Sequence, residues 1–145
     1  NEKNENCWEL KIVRKKIKKY DFLKFKGKRQ LSVLFIRNIE ETTATEEAKI
    51  DMIITAHDGP YFDINANLDD VKKMRVTAAP NCFMQSGGAK HPSSEYETIK
   101  FAYEYLSFGI DCVYAGNQSS QWINAMRREN IPIISHVELI PAKAN

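Results

Sequence analysis

The chain lacks any run of eighteen apolar residues, so no transmembrane helix is expected. The opening segment, Asn1 to Asn6, is polar and lacks the apolar core of a secretory signal. It also begins without Met, which points to processing or trimming. Cysteine is scarce: Cys7, Cys82 and Cys112 lie far apart, and no CxxC pair exists. That argues against a zinc ribbon or a redox motif. An odd count without a signal peptide favours a reducing compartment, hence a cytoplasmic location. Neither a GxGxxG nor a Walker loop follows any apolar run, which argues against nucleotide binding. No GxSxG elbow surrounds Ser119-Ser120, which reads as a helix cap and not as a nucleophile.

What is present suits one packed domain: 145 residues, 43% of them hydrophobic. The net charge is only +2, but it is unevenly spread. Between Lys11 and Arg29 stand ten Lys or Arg and one acid, Asp21. Leu10, Val13, Ile17 and Tyr20 recur there at helical spacing, which predicts a basic helix with a narrow apolar stripe. The ordinary explanation is a solvated face; a nucleic-acid or membrane-surface role is the alternative. Residues 1–30 are thus read as a basic N-terminal helix and turn, and 31–145 as the main domain.

In that domain short apolar runs alternate with helical spacers. Strands are expected to begin near residues 31, 50, 79, 110 and 131. Helices are expected over Thr42 to Lys49, from the Asn67 cap to about Arg75, from Ser93-Ser94-Glu95 to about Phe108, and from Ser119 to Asn130. Ile99, Ala102, Tyr103 and Leu106 are expected to face inward on the third of these. Such alternation predicts an α/β fold with parallel strands. Five units in order make the first five of a (β/α)8 TIM-barrel type; an open doubly wound sheet is the competitor.

In either fold the residues after each strand converge on one face. These are Asn38 and Glu40, His57 and Asp58, Ser86 and Gly87, Gly116 and Asn117, and then Ser135, His136 and Glu138. Asp58 and Glu138 are oxygen donors suited to Mg²⁺. His57 and His136 suit a softer metal or proton transfer, with packing as the plain alternative. Asp58, after an apolar strand and next to Gly59-Pro60, carries the stronger functional signal; helix capping is its innocent explanation.

Several segments, in order, resemble the ketopantoate hydroxymethyltransferases of the phosphoenolpyruvate mutase and isocitrate lyase superfamily. They are Asp21 to Arg29, Glu47 to Ile54 with Asp58, Ala79-Pro80-Asn81-Cys82, Gly109 to Gly116, and Ile131-Pro132 with His136 to Pro141. The likeness covers most of the chain and about the first half of the family's barrel. It implies an α-keto acid substrate (3-methyl-2-oxobutanoate), methylenetetrahydrofolate as one-carbon donor, and Mg²⁺ chelated with the keto acid, in pantothenate biosynthesis. By resemblance Asp58 is the metal ligand and His136 the catalytic residue. Asp58, Gly59, Ser86, Gly87, Tyr114, Gly116 and His136 contact substrate. Where the family has a second carboxylate this chain has Ser86-Gly87, and where it has Lys and Glu on strand four this chain has Tyr114 and Gly116.

Three readings follow: an α-keto acid hydroxymethyltransferase, a catalytically inactive relative serving as a metabolite-binding or assembly subunit, and an anionic-surface binder using the basic arm. A parallel sheet ending at strand five leaves an open edge, so a homo-oligomer or a second chain completing the barrel is expected.

Overall fold

The computed structural model describes residues 15–57, 67–88, 92–116 and 118–135. Its α/β fold is built on one sheet of five parallel strands in the order β1-β2-β3-β4-β5. The strands are β1 (Val33–Phe35), β2 (Met52–His57), β3 (Phe83–Gly88), β4 (Cys112–Tyr114) and β5 (Ile133–Ile134). Between them run α2 (Ile39–Glu47), α3 (Leu68–Lys73) with a π-helical turn at Met74–Ala78, α4 (Glu95–Ser107) and α5 (Ser120–Arg128). A short helix, α1 (Asp21–Phe25), precedes the sheet.

Local chemistry sets these boundaries. Asn38, Asn67, Ser94 and Ser119 each cap a helix by accepting from a backbone N–H in its first turn. At α3 the cap is reciprocal, because the Asp70 carboxylate accepts from the Asn67 N–H. Three helices end alike. Ile50, Ile110 and Ile131 each donate a backbone N–H to a carbonyl five residues back, just after a left-handed residue. That residue is Lys49, Gly109 or Asn130. The isoleucine then packs with the core, and the next strand starts two residues on.

The two faces of the sheet are covered differently. Ile53, Met84 and Val113 pack with Val71 and Met74 from the α3 region, Ala102 and Tyr105 from α4, and Met126 from α5. Alternation turns Met52, Phe83 and Cys112 to the opposite face, where Ile17 and Phe22 cover them. The Phe22 and Phe83 rings meet edge to face, 4.7 Å between centroids.

Several expectations are corrected. Residues 15–18 are not helical, so the spacing of Ile17 and Tyr20 does not place them on one helix; the helix starts only at Asp21. β1 is not a buried strand: Val33, Leu34 and Phe35 are all exposed, because an edge strand has a neighbour on one side only. Helix α2 starts at Ile39, earlier than Thr42, so Asn38 is its cap and Glu40 lies in its first turn. On α4 Ile99, Ala102 and Leu106 pack with the core as expected, joined by Thr98 and Tyr105, while Tyr103 is exposed and donates to Glu129. β3 begins at Phe83, later than Ala79, because Arg75 ties up the carbonyls of Ala79, Pro80 and Cys82 first.

Candidate functional site

The sheet has two ends with different chemistry. The N-terminal end is closed by a network centred on Asp51 and Asp111, each one residue before a strand. Asp51 accepts from the Ser32 N–H and hydroxyl and from Arg29; Asp111 accepts from the Met84 N–H at 3.0 Å. Each aspartate thus satisfies a backbone donor at the start of the preceding strand. Lys16 reaches Asp111 at 2.6 Å, so both aspartates also hold the basic segment down. Burial pushes the Asp51 carboxyl up, but hydrogen bonds from Ser32 and the Arg29 charge outweigh it, and its pKa lies below the usual value.

Arg75, in the π-helical turn, is 6% exposed. Its guanidinium donates to the carbonyls of Cys82 (2.7 Å), Ala79 (3.2 Å) and Pro80 (3.3 Å) and lies 3.5 Å from Asp111. One planar fork therefore satisfies three carbonyls where α3 turns into β3. The sequence reading missed Arg75 and the aspartate pair. The repeated Ile50-Asp51 and Ile110-Asp111 pairs were the available signal; nothing in the sequence marked Arg75 off from the other basic residues.

The C-terminal end is where ligands bind in parallel α/β proteins. Three expected site residues meet there: Gly87, Tyr114 and Gly116. A Cβ on Gly87 would stand 2.7 Å from the Tyr114 Cβ and 2.8 Å from its carbonyl oxygen. A Cβ on Gly116 would collide with the Tyr114 hydroxyl and Cζ. Neither glycine has a positive φ. Their missing side chains are needed for space: Tyr114 lies across Gly87 and curls over Gly116.

Ser86 is separated from this group. It sits within β3, not after it, and alternation turns it to the helix-covered face beside Thr55 and Val113. There it is fully buried, and its hydroxyl has no hydrogen-bond partner among the described residues. His57 closes β2, and Ser135 donates to the Ala115 carbonyl at 3.3 Å. Asp58, Gly59, Asn117, His136 and Glu138 lie outside the described residues.

No group of three or more His, Cys, Asp or Glu side chains that could hold a metal occurs among the described residues. The part of the site that is described offers a phenol and two glycines, which do not fit Mg²⁺, an ion that wants several oxygen ligands. Cys112 shares its sheet face with Tyr114, but burial, and then the nearby Asp111 charge, push its thiol up to about 12. It therefore stays protonated and is no nucleophile. No helix among the described residues is long and apolar enough to cross a membrane.

Fold and site together define a parallel α/β protein in which, among the described residues, Tyr114 packs with Gly87 and Gly116 at the C-terminal end of the sheet. In comparisons with known proteins, no family model and no curated protein matches this chain.

Proposed function

We propose that the chain is a relative of the ketopantoate hydroxymethyltransferases, with the first five units of a (β/α)8-type barrel and a site for a small α-keto acid at its C-terminal end. The sequential strand order carries the fold part of this reading. It has no reversal of the kind that creates a doubly wound sheet, and the α3, α4 and α5 residues of the main core all pack on one face. The other face would be the barrel interior. The convergence of Gly87, Tyr114 and Gly116 at one end of that face supports the site.

In this reading the Tyr114 phenol donates to the keto acid carboxylate, and Gly87 and Gly116 make room for the ring. Asp58 and His136 would complete the site by resemblance. Hydroxymethyl transfer from methylenetetrahydrofolate is the activity the resemblance assigns. The same residues support a second reading, a binding relative without chemistry. Ser86-Gly87 and Tyr114-Gly116 supply none of the carboxylates or the lysine the family places there.

Titration calorimetry with 3-methyl-2-oxobutanoate tests the site. Binding is expected, and Tyr114→Phe should weaken it about tenfold, the loss of one hydrogen bond to a charged group. Proton NMR in D2O then separates the two readings. Exchange of the proton next to the carbonyl, followed by transfer from methylenetetrahydrofolate, supports the enzyme; binding without exchange supports the inactive relative. Absence of binding refutes both.

A further inference from the structure

The segment from Lys15 to Arg29 holds eight Lys or Arg against Asp21 alone, a net of +7 in fifteen residues. Its inner side is anchored: Ile17 and Phe22 pack under the sheet, and Lys16 and Arg29 pair with Asp111 and Asp51. The outer side is thereby fixed too. Leu23, next to the anchored Phe22, is 81% exposed, the highest value for a large apolar side chain among the described residues. Tyr20, three residues earlier, is 52% exposed. Lys18, Lys19, Lys24, Lys26 and Lys28, within five residues of Leu23 in sequence, are all exposed, and the Lys18 and Lys24 ammonium groups lie 6.0 and 4.7 Å from the Tyr20 ring centroid.

We propose that this surface docks on an anionic lipid bilayer, with Leu23 entering the headgroup region and these lysines meeting lipid phosphates and carboxylates. An exposed apolar side chain in a segment of exposed lysines matches the bilayer interface, where aliphatic carbon is buried beside negative charge. Single-stranded nucleic acid fits less well. Base stacking needs open aromatic faces. Here Lys24 lies 4.7 Å from the Tyr20 ring centroid, and Arg29 lies 4.6 Å from that of Phe25. Leu23 offers a base nothing.

The orientation is functional. The surface lies at the N-terminal end of the strands, and Gly87 and Gly116 lie at the other. Six-residue β2 puts about 20 Å between the two ends. Docking would leave the candidate site facing solvent. The proposal does not depend on what that site binds.

Cosedimentation of the full chain with vesicles tests it. Binding is expected to vesicles with about 30 mol % phosphatidylserine and not to pure phosphatidylcholine. It should fall at least about tenfold as salt rises from about 50 to 300 mM. Leu23→Asp should weaken it about tenfold, and the Lys26→Glu, Lys28→Glu double variant should abolish it, with circular dichroism unchanged in both. These positions are exposed and belong to neither core cluster, so folding should survive. Equal binding to both vesicle types overturns the proposal, as does none to either. So does full binding by Leu23→Asp, which would mean polyanion attraction alone, or tighter binding to a single-stranded RNA than to vesicles.

Discussion

Gly116→Ala should destabilise the protein through one identifiable obstacle, the Tyr114 ring. The added methyl would overlap the phenol hydroxyl and Cζ, with Cε1 at 2.8 Å. Forcing a methyl into an occupied space costs about 1–3 kcal/mol, and about 2 is expected here. For a domain of this size that lowers Tm by about 4–8 °C. Backbone strain does not contribute, because Gly116 has no positive φ. The obstacle can be removed. In a Tyr114→Ala background the same substitution should cost less than about 0.5 kcal/mol, or stabilise slightly by restricting the unfolded chain. Gly87 supplies the internal control. Its methyl would meet the Tyr114 Cβ and carbonyl oxygen, and alanine retains both. Gly87→Ala should therefore cost about 2 kcal/mol in either background. Urea denaturation of the four single and double variants and their parents, followed by far-UV circular dichroism, gives both coupling energies. Equal costs for Gly116→Ala with and without the ring would refute the placement of Tyr114 over Gly116.

Two further outcomes concern the other end of the sheet. Arg75→Met should cost about 3 kcal/mol in urea denaturation, because it strips the carbonyls of Ala79, Pro80 and Cys82 of their donor and leaves Asp111 without that cation; a loss below about 1 kcal/mol would count against the buried fork. Asp51, whose folded pKa is depressed, contributes stability that is present above its unfolded value near pH 4 and is lost as pH falls through the folded value. Asp51→Asn should thus be less stable than the parent by about 1 kcal/mol at pH 7, with the gap closing below pH 4; a gap that persists at lower pH contradicts the ionised role.

Periodicity alone was enough for the alternation of strands and helices, because amphipathic spacing and caps are local properties. Asn67, Ser94 and Ser119 mark helix starts wherever the chain later packs. The parallel arrangement followed as well, since a helix between two strands leaves little other choice. The site was legible only in part. Gly87 and Gly116 read as strand-end residues after two different strands, and Tyr114 enters through the family resemblance alone, as a third separate position. Their mutual packing is a matter of contact across β3 and β4.

What the sequence determined by itself is the order of elements, their caps, the lopsided charge and the parallel α/β class. Each depends on neighbours within a few residues. Only the tertiary structure decided that Ser86 turns into the helix layer while Gly87 turns to the other face, because strand register sets a side chain's face and a one-residue shift reverses it. It likewise decided that Arg75 is a buried clamp and Leu23 an exposed tip, although sequence patterning favours the reverse. Burial depends on what distant residues bring alongside: three carbonyls around the guanidinium in one case, and the anchoring of Phe22 beneath the sheet in the other.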